Sequence, residues 1–87
     1  MFKIIFDTDA FEDYSNWAFF DKKIFKRIFE LIIETKREPF KGLGKPEPLK
    51  GNLSGCWSRR IDDKHRLVYK VIDQELKIIS CKGHYEK

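Results

Sequence analysis

The sequence predicts an α+β fold of order β-α-α-β-β-β, with two N-terminal helices packed on one face of a mostly antiparallel sheet. Three observations lead there. A β-branched apolar run occupies residues 2–6, helix-spaced apolar positions fill residues 10–36, and three period-two segments follow residue 55 with short polar turns between them.

Each element has its own justification. Ile4, Ile5 and Phe6 favour an extended chain. Asp7, Thr8 and Asp9 then offer helix N-caps, with Glu12 three residues after Asp9 in capping-box spacing. Ala10, Tyr14, Trp17 and Ala18 recur at helical spacing. Asp21 caps a second helix that runs to about Lys36, with a main apolar stripe of Ile24, Ile28, Leu31 and Ile32. A second stripe, Phe25, Phe29 and Ile33, makes this helix apolar over more than half its circumference. That stripe either packs inside, against the sheet and first helix, or meets a subunit or another partner.

Residues 38–55 hold all three prolines and four of the five glycines. Irregular segments beyond about 12–15 residues are uncommon in compact domains and tend to be functional or disordered. Pro39, Pro46 and Pro48 restrict the backbone, which favours an ordered, functional loop. Strands are expected at residues 56–61, 65–72 and 75–82, joined by turns at Asp62-Asp63-Lys64 and Asp73-Gln74 as an antiparallel meander. This order leaves the sheet face opposite the helices free.

Size and charge limit the functional classes. At 87 residues the chain is expected to be one domain, 1–87, too small for a two-lobed enzyme with a deep cofactor cleft. Its 41% hydrophobic and 15% aromatic content excludes disorder. The apolar runs are far shorter than the ~20 residues that span a bilayer, so no membrane partner is expected. Cys56 and Cys81 make no disulfide framework, and a reduced, cytoplasmic protein is the default. The net charge of +4 is unevenly placed: residues 1–35 carry 5 positive and 7 negative side chains, residues 36–70 carry 10 and 4. The basic middle suits a polyanion, of which nucleic acid is the commonest, or else a solvated surface.

Side-chain alternation sorts the basic residues. Leu67, Tyr69 and Val71 share one face, and Arg66, Val68, Lys70 and Ile72 the other. Trp57, Arg59 and Ile61 oppose Cys56, Ser58 and Arg60. Arg60 and Arg66 fall on the free face, and Trp57 and Tyr69 in the core. Arg59 has core parity and is read as peripheral to any site. Cys81-x-x-His84 with Cys56 and His65 has the residue types for zinc, but strand alternation and the lack of a second close pair oppose convergence. No metal and no cofactor is expected.

Four pieces carry a resemblance: Lys45-Pro46-Glu47-Pro48-Leu49-Lys50, Trp57-Ser58-Arg59-Arg60-Ile61, His65-Arg66-Leu67-Val68-Tyr69 and His84-Tyr85. Together, and over nearly the whole chain, they resemble the YoeB family within the RelE-type toxins of toxin–antitoxin systems. The resemblance implies a RelE-like fold and a type II toxin that acts as a ribosome-dependent mRNA endoribonuclease. Such an mRNA interferase enters the A site of the 70S ribosome, cuts mRNA and stops translation. It uses no metal and is neutralised by a YefM-type antitoxin. The second helix stripe adds a homodimer as a further expectation. By matching motif, Glu47 is the catalytic carboxylate, Lys50, Arg60 and Arg66 are its basic helpers, and His84 and Tyr85 form the terminal pair. The chain departs from the family pattern at Cys56, at Gly83 and in the Glu86-Lys87 extension.

The chemistry of these residues agrees. RNA cleavage without a metal needs a base for the 2′-OH, an acid for the leaving 5′-oxygen and cations for the phosphorane. Glu47, held between two prolines, suits the base, and His84 the acid. Arg66 can donate two parallel hydrogen bonds to phosphate, with Lys45, Lys50 and Arg60 on flanking phosphates. Tyr85 can stack on a base. His65, at a strand start beside a turn, can touch phosphate or serve a structural role. A non-catalytic RNA- or ribosome-binding module is the alternative reading.

Overall fold

The computed structural model describes residues 2–84. Strand β1 (Lys3–Phe6) leads into helices α1 (Thr8–Phe20) and α2 (Lys22–Arg37). A two-residue strand β2 (Glu47–Pro48), a 3-10 turn (Gly51–Leu53) and strands β3 (Trp57–Arg60), β4 (Arg66–Ile72) and β5 (Glu75–Ser80) follow. The sheet order is β1-β5-β4-β3-β2, with β1 parallel to β5 and the other pairings antiparallel. The α+β class, the helix pair and the meander are as the sequence predicts. The additional strand is β2, inside the segment expected to be irregular.

The helix boundaries follow from the sheet. The Asp7 N–H still bonds the Ile78 carbonyl at 3.0 Å, and its carboxylate lies 3.5 Å from the Lys77 ammonium. Asp7 is therefore the N-cap residue, without a side-chain cap bond, and α1 starts at Thr8. Asp9 falls inside the first turn, so the expected Asp9–Glu12 capping box is not formed; an acidic residue there still complements the helix dipole. Asp21 alone separates the helices, and its carboxylate accepts from the Lys23 and Ile24 N–H groups at 3.1 and 3.2 Å. Such a cap is worth about 1 kcal/mol.

Ile28, Leu31 and Ile32 of α2 and Ala10 of α1 bury themselves against Leu67, Tyr69, Leu76 and Ile78. Each fully buried large aliphatic side chain contributes about 1.5–3 kcal/mol. The second stripe of α2 divides. Phe25 stacks on Tyr14 at 4.7 Å and Tyr14 on Phe6 at 5.3 Å, whereas Phe29 and Ile33 stay 50% and 45% exposed. Inward packing of the whole stripe is thus corrected to Phe25 alone.

The opposite face is not wholly free, another correction. Leu49, Cys56 and Val68 form a second small cluster with Leu53 and Ile79. The loop that supplies it is closed by Leu49 N–H to the Cys56 carbonyl and Cys56 N–H to the Leu53 carbonyl, both 2.9 Å. A bulge pairs Val68 with Ser80 and Tyr69 with Ile78, and the intervening Ile79 packs into this cluster.

Arg59 lies on the core side, as its parity predicts, and has a structural role that parity alone does not give. It is fully buried, and its guanidinium donates to the carbonyls of Leu43 (2.8 Å), Lys41 (2.9 Å) and Glu38 and to the Tyr69 hydroxyl (3.2 Å). The Tyr69 hydroxyl in turn donates to the Pro39 carbonyl at 2.5 Å. One side chain thus orders the turns between α2 and β2, which have too few apolar residues to fold by burial.

Candidate functional site

Glu47 belongs to the sheet. It pairs with Ser58, and Pro48 with Trp57, so β2 is an edge strand, where proline's missing N–H leaves no ladder gap. On one side the chain is pinned by Arg60 N–H to the Gly44 carbonyl at 2.7 Å, on the other by Leu49 to Cys56. Gly44 crosses so close to α2 that a Cβ would lie 2.8 Å from Leu31 Cδ2, and its φ of +84° suits glycine alone. Lys45, next to it, also takes a left-handed conformation, φ 52°, and is exposed.

Register now defines a face. Directly paired residues point to the same side, so Glu47, Ser58, Val68 and Ser80 make one row across the sheet. Arg60 and Arg66 are paired two residues further along and share that side. Two strand spacings and two residues separate the α-carbons of Glu47 and Arg66 by about 12 Å, a gap that two long side chains partly close. Like charges directly opposite one another destabilise a sheet. The Arg60–Arg66 pair therefore favours an anion between them.

The two arginines are held differently. Arg60 is exposed. Arg66 is largely buried, and its Nη1 donates to the carbonyls of Asp62 (2.6 Å) and His65 (3.1 Å). The turn beneath is itself fixed by Asp62, whose carboxylate accepts from the Lys64 and His65 N–H groups, both 2.8 Å. Burial alone would push the Asp62 carboxyl up. The His65 and Lys64 N–H groups, with the nearby Arg66 guanidinium, outweigh it and hold the carboxyl below the usual carboxylate range.

His84 reaches the same end of the face. Arg66 N–H bonds the Gly83 carbonyl at 3.0 Å, which places His84 one residue beyond Arg66's neighbour. His84 and Lys50 are exposed, and Lys50 precedes the 3-10 turn close behind Glu47. Tyr85 lies outside the described residues. Glu47, Arg60 and Arg66 thus share one side of the sheet, away from the helices, and the chain beside Arg66 leads directly to His84.

A family model, the YoeB-like toxin of bacterial type II toxin-antitoxin systems, matches residues 6–85. This chain belongs to that family. It is 58% identical to a Streptomyces coelicolor toxin YoeB over 83 residues, 95% of this chain and 99% of the relative. Its fold superposes on a YoeB/ParE toxin from Agrobacterium tumefaciens with a TM-score of 0.91 at 45% identity, covering 95% of this chain and 99% of the other. The Staphylococcus aureus protein is similar both in a heterotetrameric YoeB-YefM toxin-antitoxin complex (50% identity, TM-score 0.88, covering 98% and 99%) and as a YoeB dimer (50%, 0.89, 97% and 98%).

In this YoeB-like toxin His65 does more inside the protein than its sequence position suggests. Its Nδ1 accepts from the Gly83 N–H at 2.8 Å, and its ring meets the edge of Trp17 with centroids 4.9 Å apart. Sequence reasoning also missed Arg59, although a charged residue at core parity was itself the signal. The two cysteines lie in different clusters on opposite sides of the sheet. Cys81 Sγ sits 3.5 Å from the Ala10 carbonyl, and burial, with Asp13 adding to it, pushes its thiol up to about 12. Cys56, His65, Cys81 and His84 accordingly do not converge. Among the described residues no group of three His, Cys, Asp or Glu is arranged to hold a metal, and no helix is long and apolar enough to cross a membrane.

Proposed function

We propose that this YoeB-like toxin is a ribosome-dependent mRNA endoribonuclease. The observation that carries the reading is the single sheet face that gathers Glu47 with the paired cations Arg60 and Arg66, and brings His84 to the same end. Glu47 takes the 2′-OH proton as the 2′-oxygen attacks phosphorus. The bond to the 5′-oxygen breaks, and His84 gives that oxygen its proton, leaving a 2′,3′-cyclic phosphate and a 5′-hydroxyl. Arg66, pre-oriented by the turn carbonyls, stabilises the phosphorane without needing a metal or cofactor. Arg60, Lys45 and Lys50 hold flanking phosphates, and Tyr85 stacks on a base near the cut.

A small sheet has little surface to orient a long RNA, so the A site of the 70S ribosome supplies the positioning. The chain acts as one domain, 1–87, in the cytoplasm, where ribosomes are. Its protein partner is a YefM-type antitoxin, and the half-exposed Phe29 and Ile33 give apolar surface for a homodimer. The Staphylococcus aureus relative, seen with YefM and as a dimer, supports both statements.

The test uses translating 70S ribosomes and maps the RNA ends. Wild type is expected to leave 2′,3′-cyclic phosphate ends, and Glu47→Gln and His84→Ala each to slow cutting by about 10²–10⁴-fold with unchanged thermal melting. Full cutting by both variants overturns the acid–base assignment. Ribosome binding with RNA left intact by wild type replaces the enzyme with a non-catalytic binding module.

A further inference from the structure

The segment that leads to His84 is fastened to the helix side of the molecule. Trp17 Nε1 of α1 donates to the Cys81 carbonyl at 3.1 Å. His65 Nδ1 accepts from the Gly83 N–H at 2.8 Å, and the Arg66 N–H donates to the Gly83 carbonyl at 3.0 Å. The Trp17 and His65 rings meet edge to face, so the two fasteners brace one another. Gly83 itself takes φ +77°, a conformation L side chains rarely adopt, and nothing lies within 4 Å of the position a Cβ would take. A glycine immediately before the proton donor would ordinarily leave it loose. Here both polar groups of Gly83 are occupied, and the carbonyl two residues earlier is occupied too.

We propose that Trp17 and His65 are positioning residues, which clamp residues 81–83 so that His84 is held beside Arg66. This rests on His84 being the acid of the proposed cleavage. It assigns His65 a role different from phosphate binding: a ring nitrogen that accepts from a backbone N–H carries no hydrogen and presents no positive donor there. The clamp also explains how this chain keeps a glycine before His84. The stiffness comes from hydrogen bonds across the fold, not from the residue's own side chain.

The experiment compares wild type, His65→Asn, His65→Leu and Trp17→Phe as full chains. Asparagine places an amide oxygen near the position of Nδ1, leucine offers no acceptor, and phenylalanine keeps a ring but has no N–H for Cys81. Two readouts are taken: hydrogen exchange of the Gly83 amide without ribosomes, and single-turnover cleavage on programmed ribosomes at varied ribosome concentration. The expected result is a protected Gly83 amide in wild type and His65→Asn and an unprotected one in His65→Leu. Cleavage at saturating ribosomes should fall about tenfold or more in His65→Leu and in Trp17→Phe, with half-saturation unchanged and with His65→Asn near wild type. Gly83 protection that survives in His65→Leu overturns the clamp. So does a raised half-saturation that asparagine fails to rescue, which would mark His65 as a phosphate ligand. If His65→Leu does not fold, Trp17→Phe decides, and wild-type cleavage in that variant overturns the proposal. A wild-type protein that cuts nothing defeats the nuclease reading, while the amide protection still tests the clamp.

Discussion

Arg59 and Arg60 are consecutive residues with the same side chain and opposite surroundings. Arg59 points to the helix-covered side, where three carbonyls and a phenol take its donors. Arg60 points to the open side, exposed and directly across from Arg66. The same guanidinium thus fastens a loop on one face and offers charge to a ligand on the other. Strand alternation explains which arginine does which. It also separates the face with a thick apolar core from the face with a thin cluster of Leu49, Cys56 and Val68, which carries Glu47, Arg60 and Arg66.

The sharpest way to break this comparison is to remove each arginine in turn. Arg59→Met should cost about 3 kcal/mol, because buried carbonyls lose their donor, and should lower the urea midpoint accordingly. Arg60→Met should change stability by no more than about 0.5 kcal/mol, since it also relieves a like-charge pair. Equal losses for both would mean that the two faces do not divide structure from function. Gly44→Ala ranks next. The clash with Leu31 and the left-handed backbone should cost about 2 kcal/mol in thermal or urea unfolding. Because Gly44 anchors the approach to Glu47, it should also slow cleavage more than its stability loss accounts for.

The cysteines extend the contrast to chemistry. Cys56, under the thin cluster, should react with a thiol reagent well before Cys81, which lies beneath the main core; mass mapping of the labelled native protein checks the order. Burial raises the Cys81 pKa to about 12 from the ordinary 9, so its folded form holds the proton more tightly. Its stabilising effect is complete below pH 9 and declines as pH rises toward 12, because the unfolded thiol ionises first. Replacement by alanine should flatten that alkaline decline. The smallest effect belongs to Asp62, whose carboxyl is depressed in the folded state. It contributes above the unfolded value of 3.8 and loses its contribution as pH falls through the lower folded value. Asp62→Ala should cost about 0.5 kcal/mol near neutrality and less in acid, read from melting curves at several pH values.

The meander and both helices were legible because local signals agreed: Asp21 for the cap, Ile28 and Leu31 for the stripe, and Leu67 and Tyr69 for the strand parity. Glu47 was legible as a candidate through its motif, but not as part of a sheet. A two-residue strand has no periodicity to detect, and Glu47 joins the ladder only because Arg60 and Cys56 bond the chain on either side of it. Arg59 was legible as a residue of core parity set apart from the site, but its part in ordering the loop was not. Only the placement of the Glu38, Lys41 and Leu43 carbonyls around it makes burial favourable.

The sequence by itself determined the element order, the family membership carried by its motifs and the identity of the charged residues on each strand. Those depend on local periodicity and residue type, which the chain displays without folding. Tertiary structure alone decided that the loop after α2 hangs from Arg59, and that part of the open face is covered by residues 49–56. It also decided that the segment before His84 is tied to Trp17 and His65. Each of these depends on hydrogen bonds or contacts between residues distant in sequence, and such partners exist only after the sheet and helices have brought them together.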